Sequence, residues 1–174
     1  MAVTITWIEW NGADSPGNDV GTAASNLNLG NTDARDLTPA SYPIAAGSDS
    51  FHKNIKINIS GSYTQISNGK LYKSAGDYVT SEIMTFSGSV AWVTPATDDT
   101  ADPNIPTTLP GSWNVVLSGG ANGGTLPRAT ESESSPDYYS GSRTDLMRFQ
   151  LETESDTPAG AVNTKTISFT YDRQ

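Results

Sequence analysis

Residues that could perform catalysis are few in this chain of 174 residues. His52 is the only histidine and cysteine is absent, so a Ser-His-Asp arrangement would depend on that one base. No Gly-x-Ser-x-Gly sequence accompanies it, and it precedes the alternating run at Ile55 by three residues. The sequence therefore predicts that His52 is a surface residue on the polar side of a strand and not a catalytic base.

Paired carboxylates could serve glycoside hydrolysis, which requires two of them across a cleft. The acidic residues lie instead in stretches typical of loops, for example Asp33 with Asp36 and Glu131 with Glu133. None of these pairs is embedded in aromatic sequence, as a buried general acid would be. The sequence therefore predicts no enzyme activity and no cofactor.

A short acidic stretch contains the candidate metal ligands Asp98, Asp99 and Asp102. Ca²⁺ takes several oxygen ligands from a flexible loop, so these carboxylates are candidates for a calcium site. The stretch lacks the glycine and the terminal glutamate of the EF-hand pattern. A solvated acidic loop is the preferred interpretation, and calcium binding is the alternative.

Aromatic residues are the other candidates for binding. Exposed tryptophan can stack on sugar rings, but the same side chain also fills cores and subunit interfaces. The pattern predicts strands at all four tryptophans, which favours core or interface positions: Trp7, Trp10, Trp92 and Trp113. The candidate interface residues are Trp10, Tyr138 and Tyr139.

The elements that must position these residues are β-strands. Ile55, Ile57 and Ile59 alternate with polar residues, which gives one apolar face and one solvated face. Gly61 follows at once and predicts a bend or bulge that shifts the register after this run.

Asn68 and Gly69 both tolerate positive φ, which a two-residue hairpin turn requires. The sequence therefore predicts a hairpin turn there, with Ile66 paired to Leu71. This hairpin would lie in the middle of an antiparallel sheet.

The remaining segments complete an all-β pattern. Residues 144–153 alternate as a strand, with a short helix capped by Thr144 as the alternative. Residues 94–112 contain four prolines, so we expect them not to pair as a central strand and to add little to a core. Further strands are predicted at 3–10, 79–86, 89–93, 113–117 and 162–171, and long loops at 11–50, 94–112 and 118–142.

These elements predict one domain over residues 1–174, an antiparallel β-sandwich or jelly roll with long loops. The net charge of −9 argues against a nucleic-acid partner, since phosphate binding requires a basic face. The first ten residues alternate as a strand, so no signal peptide is expected. No apolar run approaches the roughly 18 residues that span a bilayer, so no membrane partner is expected.

Three segments together resemble a known class of proteins: ITWIEWNGA at 5–13, GSYTQISNGKLYKSAG at 61–76 and AGAVNTKTISFTYDRQ at 159–174. They are similar to small β-rich proteins encoded among the virion structural genes of tailed bacteriophages. The three segments make up about a quarter of the chain, and none of them is a functional fingerprint. No site residue is carried over from it.

The resemblance implies a capsid decoration (cement) protein that binds the exterior of the virion shell and stabilises it without a covalent bond. It implies the lattice of the major capsid protein as partner and a homotrimer at three-fold positions. A carbohydrate-binding β-sandwich module and a tail or baseplate accessory protein are the alternatives.

Overall fold

The computed structural model of the protein describes residues 3–13, 21–61, 63, 65–97, 102–117, 125–127, 144–158 and 164–174. Within these ranges the chain forms eight strands and no helix, which confirms the predicted all-β class. In chain order the strands are β1 Val3–Trp10, β2 Thr22–Ala23, β3 Lys53–Gly61, β4 Gln65–Ala75, β5 Glu82–Ser87, β6 Thr125–Pro127, β7 Met147–Thr153 and β8 Thr166–Arg173.

The strands form two antiparallel sheets. The larger sheet has the order β2-β1-β3-β7-β5, and the smaller has the order β6-β4-β8. Ile55, Ile57 and Ile59 of the larger sheet belong to the same buried cluster as Ile66 and Leu71 of the smaller sheet. The two sheets therefore share a core, while the finer assignment to a sandwich or jelly roll and to one domain stays a prediction.

Alternating patterns located the long strands correctly. The predicted strand at 3–10 is β1, the pattern at 144–153 contains β7 and no helix, and the pattern at 162–171 contains most of β8. The predictions at 89–93 and 113–117 are wrong, because these residues form no strand. The segments beside them are irregular, so these residues make only single backbone hydrogen bonds and not a strand ladder. One example is the bond from Val90 N to Leu146 O, 2.9 Å.

The predicted hairpin turn at Asn68-Gly69 is also wrong, because β4 continues through both residues. Ser67 pairs with Asp172 of β8, and Lys70 pairs with Thr170. Three steps along β4 therefore match two steps along β8, which defines a β-bulge. Asn68 has φ 57°, so the sequence predicted the local backbone conformation correctly and its topological role incorrectly.

Burial explains why a bulge is needed there. Ile66 and Leu71 are both fully buried although they are five positions apart, and an unbroken strand would place them on opposite faces. The extra residue of the bulge turns the Leu71 side chain back to the same buried face as Ile66. Gly61 does end β3, with φ 99°, and β4 then begins at Gln65 in the other sheet. The parity change across Gly61 is therefore a change of sheet.

Residues 102–117, here called the bridging segment, correct the prediction that the proline-rich stretch adds little to the core. Ile105, Val115 and Leu117 from this segment are buried in the main cluster. The segment runs along the edge strand β5, where Phe86 N donates to Pro103 O at 2.9 Å. Ile105 N likewise donates to Met84 O of β5 at 2.9 Å, and Thr85 of β5 forms an isolated antiparallel bridge with Asn104 of the segment.

The same segment also binds the other sheet. Lys73 N of β4 donates to Pro106 O at 2.8 Å, only one residue beyond Ile105. Proline lacks an N–H but keeps its carbonyl, so a proline-rich stretch can still accept hydrogen bonds from strand edges. The bridging segment is thus a structural link between the two sheets.

We expect Ile105→Ala to lower the free energy of unfolding by about 2–5 kcal/mol, because it leaves a cavity in the shared core. The matched control is Leu109→Ala in the same segment, since that side chain is 54% exposed. The control should stay within about 0.5 kcal/mol of the wild type in urea denaturation. Equal effects of the two substitutions would contradict the structural role of the segment.

Candidate interaction surface

His52 is not a surface residue, contrary to the sequence prediction, since its exposed fraction is 1%. Its backbone N donates to Ala96 O at 2.9 Å, and its Nδ1 accepts a hydrogen bond from Ala96 N at 3.4 Å. Strand β3 begins at Lys53, so the strand pattern does not apply to His52. The chain near Ala96 covers the His52 side chain. His52 therefore ties two parts of the chain together.

Of the candidate calcium ligands, Asp102 lies in the described part of the chain, whereas Asp98 and Asp99 lie outside it. Asp102 forms a two-bond ion pair with Arg148 of β7: Nε lies 2.7 Å from Oδ2, and the second guanidinium nitrogen lies 3.1 Å from Oδ1. This fork geometry engages both carboxylate oxygens. Within the described ranges no three His, Cys, Asp or Glu side chains are grouped to hold a metal ion.

Two of the three candidate interface residues, Tyr138 and Tyr139, lie outside the described residues. The third, Trp10, is buried with Ile8 and Leu146 in a second cluster on the other face of the larger sheet. Its side chain is therefore a core element. The face of β1 that carries it is covered, which strand alternation alone does not reveal.

The described surface exposes four large hydrophobic side chains, at Tyr42, Val93, Leu109 and Trp113. Two of them, Leu109 and Trp113, lie on the bridging segment and form the candidate interaction surface. The prediction that Trp113 lies in a strand is wrong, because it follows a bend and is 43% exposed. The turn signal Pro110-Gly111, which Ser112 alone separates from Trp113, could have indicated this position.

The neighbouring residue, Asn114, fixes the backbone next to Trp113. Its side-chain Oδ1 accepts from Leu71 N at 2.8 Å, and its Nδ2 donates to Leu71 O at 2.8 Å. The amide thus pairs with β4 as a neighbouring strand would. Asn114 N also donates to Gly69 O at 3.1 Å, beside the bulge. A further bond, from Lys70 Nζ to Gly111 O at 3.1 Å, holds the preceding turn.

The contacts along the edge of β4 determine what kind of partner this surface can bind. The edge of β4 is occupied by β6 at residues 65–67, by Asn114 at Leu71 and by Pro106 at Lys73. An edge covered in this way is a poor template for adding a foreign strand. What the surface offers is apolar area from Leu109 and Trp113 on a backbone that is already ordered, which suits contact with another protein.

We expect Asn114→Ala to lower the free energy of unfolding by about 1–3 kcal/mol, because it leaves the N–H and C=O of Leu71 without their partner. Asn104→Ala is the matched control, since the Asn104 side chain is exposed and makes no hydrogen bond in the described part of the chain. Urea denaturation should place the control within about 0.5 kcal/mol of the wild type. A loss as large in the control would show that the pairing with Leu71 is unimportant.

A group of charged side chains lies in the interior near β5 and β8. Lys165 Nζ and a Glu82 carboxylate oxygen are 2.8 Å apart, and both side chains are almost fully buried. The Nζ atoms of Lys73 and Lys165 lie 4.7 Å and 5.5 Å from the centre of the Tyr78 ring. Burial raises the pKa of the Tyr78 phenol and the charge of Glu82 also raises it, while the nearby backbone of Met84 lowers it.

This raised pKa gives a pH dependence with a definite sign. The folded state favours the neutral phenol, so the contribution to stability is complete below the ordinary pKa of 10.0 and is lost as pH rises through the higher folded pKa. Between about pH 9 and about pH 11 the wild type should therefore lose more stability than Tyr78→Phe. Lys73, Lys165 and Glu82 remain in both proteins, so the difference in denaturation midpoint isolates Tyr78. Parallel pH curves would contradict this assignment.

No family model, no curated protein and no solved structure matches this chain. In the part of the chain that the structure describes, no helix is long and apolar enough to cross a membrane.

Proposed function

We propose that this protein is a virion structural protein of a tailed bacteriophage, specifically a capsid decoration protein that binds the exterior of the shell without a covalent bond. The observation that carries the proposal is the exposure of Leu109 and Trp113 on a segment held by both sheets. The resemblance of three segments to virion structural proteins supports it independently.

The physical basis is the burial of apolar surface on an ordered backbone. Tryptophan is enriched among the residues that dominate binding energy at protein interfaces. Because the backbone around Trp113 is fixed by the bonds of Asn114, little conformational entropy is lost on docking. Binding to the assembled shell, and not to free subunits, then stabilises the shell by mass action.

Charge supports an external position. The chain carries a net charge of −9, which disfavours contact with packaged DNA inside the shell. In this proposal the partner is the lattice of the major capsid protein. The protein is placed there as a homotrimer at three-fold positions, a geometry that the resemblance alone implies.

A second candidate function is carbohydrate binding, and the exposure of Trp113 is the observation that favours it. The two functions use the same side chain with different partners. Titration with soluble oligosaccharides distinguishes them: a saturable change in tryptophan fluorescence that Trp113→Ala abolishes would favour the sugar-binding alternative.

The test of the proposed function mixes purified protein with particles that lack it, and measures occupancy and the temperature at which the shells release DNA. We expect saturable binding, a higher release temperature, and a loss of affinity of more than about tenfold for Trp113→Ala. Tyr42→Ala is the matched control, because Tyr42 is similarly exposed but lies outside the bridging segment. It should change affinity by less than about twofold.

Absence of binding to mature shells would overturn the proposal. Binding only at a tail vertex would move the protein to the tail, the other virion alternative. Equal affinity losses in the Trp113 and Tyr42 variants would remove the bridging segment as the contact surface.

A further inference from the structure

Three side chains with complementary chemistry meet where β1 ends and β3 begins. The register pairs Glu9 with Ile55 and Trp10 with Asn54, so Asn11 and Lys53 are the next opposing positions. Positions two apart on a strand point to the same face, which places Glu9, Asn11 and Lys53 together. None of the three was singled out as a site residue by its sequence context.

One oxygen of the Glu9 carboxylate contacts both Lys53 and Asn11. Glu9 Oε1 accepts a hydrogen bond from Lys53 Nζ at 2.6 Å and another from Asn11 Nδ2 at 2.9 Å. The amine of Lys53 and the carboxamide of Asn11 therefore lie on one carboxylate oxygen, which is within reach of both nitrogens. A carboxyl group in this place can take a proton from one nitrogen and give it to the other.

The amine and the carboxylate are shielded from water. The Lys53 and Glu9 side chains are 5% and 0% exposed. Glu9 Oε2 is also buried and makes no hydrogen bond with any described residue. In a site of low dielectric constant, transfer of a proton from the ammonium to the carboxylate removes two charges at once. The product is a neutral amine, the nucleophilic form of lysine.

We propose that Lys53 and Asn11 form an intramolecular isopeptide bond, with Glu9 as the catalytic acid and base. Glu9 takes a proton from Lys53 Nζ, and the amine attacks Asn11 Cγ to form the new C–N bond. The bond between Cγ and Nδ2 then breaks as Glu9 returns that proton to Nδ2. The attacking nitrogen gives its second proton to the departing ammonia, which leaves as ammonium. The reaction exchanges one amide for another, so it needs no oxidant, no energy source and no other reactant.

Further hydrogen bonds fix the reacting groups. Asn11 Nδ2 also donates to Asp33 Oδ1 at 2.7 Å, and Gly12 N donates to Asp33 Oδ2 at 2.5 Å. Lys53 Nζ also donates to Ala34 O at 3.0 Å. Amine and amide are thus held by two successive residues of the same loop, and such proximity replaces a high concentration of free reactants.

The bond would stabilise a chain that has no cysteine. It would close a loop from residue 11 to residue 53 and so include the long connection between β1 and β3. A covalent closure of this length acts mainly by restricting the unfolded chain, as a disulfide does. The inference does not depend on the proposed function, since it concerns a bond within one molecule.

The molecule contains its own comparison. Lys165 and Glu82 form a second buried pair, at 2.8 Å. The Glu82 oxygens accept from Lys165 Nζ and from the backbone N–H of Val79, and no side-chain amide shares them in the described part of the chain. Lys165 should therefore stay unmodified in the same sample in which Lys53 has reacted.

The experiment is intact mass spectrometry of the purified full-length protein, followed by proteolysis and peptide mapping. We expect a mass lower than that of the sequence by one ammonia, and one cross-linked species that contains both Asn11 and Lys53. Glu9→Gln and Asn11→Ala should restore the full mass expected for each variant. Lys165→Arg should keep the cross-link.

Two results on the wild type alone would overturn the proposal, whether or not the variants fold. One is recovery of Asn11 and Lys53 in separate unmodified peptides. The other is loss of ammonia confined to the peptide that contains Asn11-Gly12, which identifies a succinimide. A cross-link that persists in folded Glu9→Gln would overturn the role of Glu9 as acid and base.

Discussion

The hydrogen-bonding demand of two strand edges is the constraint on which this structure depends. The outer edge of β5 and part of the edge of β4 would otherwise present unpaired backbone groups to solvent. The bridging segment satisfies both, because Pro103 accepts from β5 and Pro106 accepts from β4. Its apolar side chains enter the shared core from the same stretch, so one segment both pairs the edges and completes the core.

That constraint also determines which side chains remain outside. Once Ile105 and Val115 are directed inward, the turn between them carries Leu109 and Trp113 to the surface. The backbone bonds that complete the fold are therefore the ones that order the candidate interaction surface. A binding surface built on structure that is already ordered loses little entropy when it docks.

Sequence patterns located what depends on local chemistry. Alternation located β1 and the inward face at Ile57, but the prediction that the other face of this run is solvated is wrong, because Asn58 and Ser60 on that face are buried too. The tolerance of Asn68 for positive φ was visible, but whether it serves a turn or a bulge depends on a partner strand about a hundred residues away. The prolines at 103 and 106 correctly exclude a central strand, yet their carbonyls still accept hydrogen bonds.

The candidate sites depend even more on distant contacts. Lys53 lies at the start of an alternating run, and its buried partner Glu9 is forty-four positions away in the chain. Only the register between β1 and β3 brings Asn11 beside them, and a single sequence does not specify register. His52 is buried for a similar reason, since the residue that covers it comes from another loop. Trp113 is the exception, because the turn signal before it is local.

Amide hydrogen exchange, resolved by residue, tests the central claim that the bridging segment belongs to the cooperative core. We expect the amides of Ile105 and Lys73, which join the bridging segment to β5 and to β4, to exchange with the same free energy of opening as the amide of Ile57 in β3. Exchange at Ile105 and Lys73 that is far faster than at Ile57 would contradict it, because the segment would then open while both sheets stay folded.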